Sequence, residues 1–391
     1  MSKKQLSTLF LCSLIYWTAG NGLLPLLPVY ATQLGAAQSV IGFYLSIAYI
    51  GLAMGTIIAG WLSDKFQRRK IALIINGVLS VPVCWLMGRV TNIWYLTALT
   101  AGLWFLGGVA LTMLSILTGL FVEKTKRGKY FGILWMAAPL GSLIGGLTTG
   151  SIADRWGYPI LFSFISIFMI LFPLIALLLE DKVVLPTRSQ LAKNVGEKTQ
   201  LGLGFIFLFI ASVITYTIPF LGYLGRSLSM NKLGFVAAAI SRTEAIGGAV
   251  ALPMPPLIGW LSDRIERKRC LALSYLAGTV SLLILSASAS LWHFCLSISL
   301  LAVLMQTSRA VGSALVTDLV PPASLGRGIS LFTATTWIGG IIGFGATGFA
   351  IQNLGMFFTL IIGASMPLAA MVLLIPIDQP GKDKSIAGEV V

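Results

Sequence analysis

Two stretches place one acid and a knot of bases at the end of an apolar run. GWLSDKFQRRK (residues 60–70) and GWLSDRIERKR (259–269) share Gly, Trp, Leu, Ser and Asp in the same order. A lone carboxylate at such a boundary is costly unless it meets a positive group or the amino end of another helix. The bases that follow would fix which way the adjoining helices face across a bilayer. Two other charges lie deeper. Glu244, in ISRTEAIGG, is the only acid well inside an apolar run, and Arg309, in LMQTSRAVGS, is a base inside another. An intramembrane carboxylate can take up and release a proton, and an intramembrane guanidinium can hold a carboxylate. Glu244 stands about 22 Å along its run from Gly259, and Arg309 about 16 Å from Val320, at ~1.5 Å per residue. Long side chains at these heights can reach one another. Arg242, two residues before Glu244, points to nearly the opposite face of a helix. A static pair joining Glu244 to Arg309 or Arg242 is the bland alternative.

Catalytic chemistry has no support. The single histidine, His293, has no Ser/His/Asp or metal-ligand grouping around it. Cys12, Cys84, Cys270 and Cys295 fall in apolar segments without a CxxC spacing, which reads as four reduced, buried thiols.

The elements that carry these groups follow from composition. Of the 391 residues 57% are hydrophobic and only 10% charged, where a soluble domain carries about a quarter charged residues. Apolar runs of about 20 residues, enough to cross some 30 Å of hydrocarbon, recur twelve times. They lie at roughly 6–30, 39–62, 71–89, 94–121, 129–153, 158–179, 201–226, 233–262, 270–289, 291–320, 328–351 and 355–376. The expected fold is all-α, with twelve transmembrane helices in two six-helix halves. Of 27 Lys and Arg residues, 21 fall on one side of these spans, so both termini are expected in the cytoplasm. Arg89, Arg155, Arg226 and Lys232 fall on the other side. The net charge of +14 is thus topogenic. The basic clusters are short connectors and form no nucleic-acid face. Lys3 and Lys4 before an apolar run resemble a signal peptide, but the run continues through LLPLLPVY, which reads as an uncleaved first span.

The chain repeats itself. A shift of 199 superposes Gly60 on Gly259 and Asp64 on Asp263; a shift of 198 superposes Gly128, Gly141, Gly145 and Gly157 on Gly326, Gly339, Gly343 and Gly355. A parallel duplication predicts one half at 1–180, a polar cytoplasmic linker at 181–200 and a second half at 201–391 with a short tail. Pairing Gly42 with Gly234 breaks the register, because 18 positions separate Gly42 from Gly60 but 25 separate Gly234 from Gly259. Either the eighth span is two turns longer than the second or the seventh has been drawn wrongly.

With these features the chain resembles the major facilitator superfamily of transporters over nearly its full length. Gly60, Leu62, Asp64, Lys65, Arg68, Arg69 and Lys70 fit that family's signature between its second and third helices, with Gln67 where Gly is usual. APLGSLIGG, with Pro139, Gly141, Gly145 and Gly146, resembles the fifth-helix motif of the drug and proton antiporters, and Gly20, Gly22, Pro25 and Pro28 add to that likeness. The resemblance implies alternating access. Gly60, Asp64, Arg68 and Arg69, with Gly259, Asp263 and Arg267, would then form cytoplasmic latches: Asp64 against the helix start near Arg327 and Gly328, and Asp263 against that near Gly128 and Lys129. Pro139 and the glycines would let helices approach closely and slide. An acidic residue in the first helix is absent, Asn21 being the nearest polar group, and Trp104 stands where an Arg is usual.

Glu244 is expected to carry coupling and Arg309 to pair with it or anchor substrate. Helices 1, 4, 7 and 10, which line the path in proteins of this resemblance, supply Tyr16, Trp17, Asn21, Trp104, Thr112, Ser115, Thr215, Tyr216 and Gln306. Such an aromatic, weakly polar cavity suits an amphipathic organic solute. The leading expectation is a monomeric, proton-coupled exporter in a bacterial cytoplasmic membrane, partnered by lipid and a small-molecule substrate, with no cofactor and no nucleic acid. No Walker sequence is present, so energy would come from an ion gradient, the proton gradient foremost, or transport would run downhill. Alternatives are a sugar, metabolite or lysolipid transporter without antiport, and a non-transporting sensor or scaffold, to which two matched gates would be of no use.

Overall fold

The computed structural model describes residues 1–66, 68–123, 127–181, 201–321 and 324–377; the side chains of Asp64, Arg127 and Asp263 lie outside that description. Regular structure among the described residues is helical throughout. The first span, α1 (Lys3–Leu23), bends by 44° and continues as Leu27–Gln33. Pro25 and Pro28, which lack an N–H to bond the preceding turn, account for the break. Then come α2 (Gln38–Phe66), α3 (Arg69–Met87) and α4 (Ile93–Phe121). Asn92 caps α4 by accepting from the Trp94 amide at 2.7 Å.

The apolar stretches Lys129–Ala176 and Arg327–Leu374 each contain 48 residues. A straight helix of that length would be about 72 Å long, more than twice a hydrocarbon core. Each is folded back at one glycine with non-helical backbone, Gly157 (φ 79, ψ 169) and Gly355 (φ 80, ψ 164). That divides them into α5 (127–156) and α6 (158–176), and α11 (325–354) and α12 (356–374). Between lie α7 (Leu203–Lys232), α8 (Ala237–Ala251 and Met254–Arg264, bent by 42°), α9 (Arg267–Ser286) and α10 (Leu291–Leu319). Among the described residues the spans number twelve, so residues 1 and 377 lie on one side, here called the terminal side, opposite the far side.

The positive-φ glycines resolve the register question. They are Gly35, Gly157, Gly234 and Gly355, two pairs offset by the repeat itself. Gly234 therefore corresponds to Gly35, not to Gly42. α7 runs on to Lys232, past the predicted end at 226, and α8 is no longer than α2. Ser241 occupies the place of Gly42.

Glycine determines how the first six spans meet the last six. On α5, Gly141 and Gly145 abut α1 backbone at Trp17, Thr18 and Gly22, while Gly146 and Gly150 abut α8 at Ala237, Ser241 and Ala245. Pro139 belongs to the same face, its carbonyl lying against Gly248 of α8. The arrangement recurs on α11. Gly339 and Gly343 abut α7 at Tyr216 and Thr217, and Gly348 meets Gln38 and Gly42 of α2. Without Cβ atoms these backbones approach within van der Waals distance, the usual means of helix association in lipid. A methyl at Gly42 would collide with Phe344 and Gly348 backbone, which no rotamer change relieves. Gly42→Ala is therefore expected to cost about 1 kcal/mol or more in this conformation and to open the far side. Gly60→Ala, where an added methyl meets no atom within 4 Å, is the control; equal labelling of both variants by a membrane-impermeant thiol reagent at a far-side cysteine would refute this.

The outward surface is apolar, with Ile57, Leu147, Ile167, Phe349 and Phe358 exposed as lipid contact requires. Exposed Trp61, Trp94, Trp156, Trp260 and Trp292 sit near span ends, as in an interfacial aromatic belt.

Candidate functional site

A central cavity lies between the two sets of six spans, in two adjoining lobes of ≈ 1300 and ≈ 1310 Å³, open space included. The first lobe is bounded by α1, α2, α4, α5, α7, α8, α10 and α11, with Met169 of α6. Its walls include seven aromatic side chains, Tyr16, Trp17, Tyr49, Trp104, Phe220, Tyr223 and Trp337, with Asn21, Gln306, Glu244 and Arg309 among the polar members. The second lobe, toward the terminal side, adds Thr112, Ser115, Trp135, Tyr216, Ser313 and Thr333. Trp104 is nearly buried in the wall and Tyr216 almost wholly so. Tyr16 is held by α3, its hydroxyl bonding the Asn76 side chain and Ser80 Oγ. Thr215 turns inward to its own helix, bonding the Ala211 carbonyl.

Glu244 is 5% exposed and Arg226 2% exposed, and Arg226 Nη2 donates to Glu244 Oε2 at 2.9 Å. This departs from the sequence expectation twice. Arg226 is an interior residue of α7, not a charge of the far-side connector, and it takes the place expected of Arg309. The predicted end of α7 at 226 hid it, because a charge at the apparent end of an apolar run reads as interfacial. Arg242 is exposed on the opposite face of α8, as the two-residue spacing requires. The carboxylate also receives a chain of donors from the first six spans. Asn21 Nδ2 donates to Ser142 Oγ at 2.8 Å, and Ser142 Oγ donates to Glu244 Oε1 at 3.3 Å. Ser142 carried no signal beyond its place within APLGSLIGG. Glu244 thus joins α1, α5, α7 and α8, and its charge bears on the seam between the two sets of spans.

Arg309 lines both lobes. Its guanidinium lies 5.0 Å from the ring centre of Trp135, a cation–π contact reaching from α10 across to α5.

The far side is closed by two backbone caps that cross between the sets of spans. Asp154, at the end of α5, accepts from the Ala237 and Ala238 amides at 2.8 and 2.7 Å. Val236 at the N-cap of α8 supplies no side-chain acceptor, so Asp154 caps α8 from another helix. Gln352, at the end of α11, accepts from the Ser39 amide of α2 at 3.0 Å. Gln352 lies 198 residues after Asp154, and Ser39 lies 199 before Ala238, so the two contacts are the same contact made twice.

On the terminal side, the contacts predicted for Asp64 and Asp263 lie outside the described residues. Arg68 is exposed, while Arg69 is buried and donates to Ser63 Oγ at 2.7 Å, with the Asp181 carboxylate 4.0 Å away. Asp181 also accepts from the Lys70 amide at 3.0 Å. Arg267 pairs with Asp318 and bonds the Ala314 carbonyl at 2.9 Å. In this conformation Arg69 and Arg267 thus brace loops within their own six spans. Gly60 and Gly259 face open space. Cys12, Cys84 and Cys270 are buried free thiols and Cys295 is half-buried. His293 completes a capping box with Ser290 at the start of α10.

The comparisons with known proteins agree with this architecture. The family model described as Major Facilitator Superfamily matches residues 9–241 and 201–390. The multidrug resistance protein MdtG of Salmonella choleraesuis (strain SC-B67) is 29% identical over 310 residues, 75% of each chain, and MdtG of Salmonella typhi is similar to the same extent. The solved structure of the nucleoside transporter NupG superposes with a TM-score of 0.78 at 16% identity, covering 96% of this chain and 99% of that one. A POT family transporter in complex with 5-aminolevulinic acid superposes with a TM-score of 0.77 at 16% identity, covering 94% and 95%. At such identities the structural likeness establishes the fold alone.

Proposed function

The chain belongs to the Major Facilitator Superfamily, whose members are transporters and not enzymes, and from that membership we propose that it exports amphipathic organic compounds by alternating access, in exchange for protons. The observation that carries this reading is Glu244, a buried carboxylate at the cavity wall, bonded across the seam between the two sets of spans. Protonation would remove its charge, weaken its hold on Ser142 and leave Arg226 buried beside a neutral group. Both consequences work against the arrangement seen with the far side closed. Proton uptake and opening of the far side then become one equilibrium, and cargo leaving by that side would exchange with the incoming proton.

The aromatic cavity supports an amphipathic organic cargo, since large apolar faces with few convergent polar groups bind such bodies. Likeness to relatives named as multidrug resistance proteins supports export. The excess of Lys and Arg on the terminal side supports cytoplasmic termini, and the Salmonella relatives support a bacterial inner membrane. One chain encloses the whole cavity, so a monomer suffices.

Flux in proteoliposomes with an imposed pH gradient tests the reading, with uptake of a panel of amphipathic dyes as readout. Wild type should accumulate dye against its gradient when protons run the opposite way. Glu244→Gln should lose this accumulation, falling at least tenfold in rate, while still equilibrating dye downhill. Gradient-driven accumulation that survives Glu244→Gln would exclude Glu244 as the coupling group.

A further inference from the structure

The uncompensated charge in the cavity is positive. Among the described residues only Glu244 and Arg309 bring ionisable carboxylate or guanidinium groups to its lining. Glu244 is neutralised by Arg226 at 2.9 Å. Among the described residues Arg309 has no carboxylate within ion-pair distance and no hydrogen-bond acceptor for its five N–H donors, and its guanidinium lies 5.0 Å from the centre of the Trp135 ring. A cation–π contact uses none of the guanidinium's N–H donors, and their fork matches a carboxylate in two parallel bonds. Arg309 stands where the two lobes join, with Trp17 and Trp337 lining both. An arginine at an open cavity wall, with its donors unpaired among the described residues, is suited to receive an anion.

Alternating access makes this charge select among cargoes. While the cavity is wet, water satisfies Arg309. When the cavity closes around cargo that water leaves, and an unpaired cation in apolar surroundings is costly. A cargo with a negative head supplies the missing partner at that step, whereas a cationic one adds a like charge. The aromatic walls take up the apolar body. We propose that the cargo is an amphipathic anion, a compound with an aromatic or aliphatic body and one carboxylate or sulfonate group, bound at that group by Arg309. This deepens the export reading above and rests on it for the word cargo; the binding itself does not.

Three probes with one body separate the charges: naphthalene acetate, its neutral amide and naphthylmethyl-trimethylammonium. Their binding to the purified full chain in nanodiscs is followed by tryptophan fluorescence, and their flux in proteoliposomes is measured separately. The acetate should bind about tenfold or more tightly than either of the others, a tenfold change being 1.4 kcal/mol. Arg309→Gln should abolish that preference, and Arg309→Lys, which keeps the charge on a folded chain, should retain part of it. Equal binding of all three probes, tighter binding of the cation, no binding of the acetate at millimolar concentration, or an unaltered preference in Arg309→Gln would each overturn the inference. Anion preference without flux of any probe would leave it standing and remove the export reading instead.

Discussion

Glu244→Leu should strip Arg226 of its partner and destabilise the protein by about 3–5 kcal/mol, the usual result of leaving one buried charge uncompensated. The effect is large because Arg226 is 2% exposed and its Nε and Nη1 already lack hydrogen-bond partners, so the Glu244 carboxylate is the one anion paired with it among the described residues, beside the Tyr223 ring 5.3 Å away. Replacing both residues, as Glu244→Leu with Arg226→Met, should recover most of the loss, since an apolar pair of similar volume avoids the desolvation of both ions. The melting midpoints of the two single variants, the double variant and wild type, compared in one detergent, give the coupling directly. Additive single effects would show that the pair contributes nothing as a pair. The double variant separates stability from function: it should fold well and yet accumulate no substrate against a gradient. A stable double variant that still couples flux to protons would place coupling elsewhere.

Asp154→Ala should open the far side. Asp154 satisfies two amides of the first turn of α8, from another helix and with a full negative charge at the positive end of the helix dipole. Losing a cap of this kind costs about 1–2 kcal/mol, a factor of roughly 5–30 in an equilibrium. The cap forms only when the first and last sets of spans are closed on that side, so the whole cost falls on one conformation. Gln352→Ala removes a single neutral bond to Ser39 and should act in the same direction by less, about 0.5–1.5 kcal/mol. Spin labels at Gln33 and Asn353, exposed on the far side in different sets of spans, report the change as a longer distance in a larger share of molecules. Identical distance distributions in wild type and Asp154→Ala would show that the cap does not hold the gate. Asp154→Asn, which keeps an acceptor but not the charge, should fall between the two.

Much of this protein is legible from one sequence because its elements are set by local properties. Run length and hydropathy place twelve spans, since hydrocarbon tolerates backbone only when it is internally bonded. The skew of Lys and Arg indicates which connectors share a side. The recurrence of GWLSD and of the α5 and α11 glycines shows the duplication, and those glycines proved to be points of close approach between helix backbones. Even the turns at Gly157 and Gly355 were visible as a repeated pair, because a positive φ excludes most other residues.

The partners of the charges were not legible. Glu244 stood out as a buried acid, but its pairing with Arg226 depends on how α7 and α8 are rotated about their axes and on α7 continuing to Lys232. Arg309 looked equally suited to Glu244 and instead lies against Trp135 on a helix of the other set. Asp154, beside Arg155 in ADRWGYP, carried no signal of its own in the sequence; it became a helix cap only because glycines on the same helix bring α8 close enough for its amides to reach. Composition and run length determined which segments are apolar enough to enter the membrane, because each segment meets lipid and water on its own. Which buried charge meets which was decided only by the packing of spans far apart in the chain, because rotation and close approach belong to pairs of helices and to no single one.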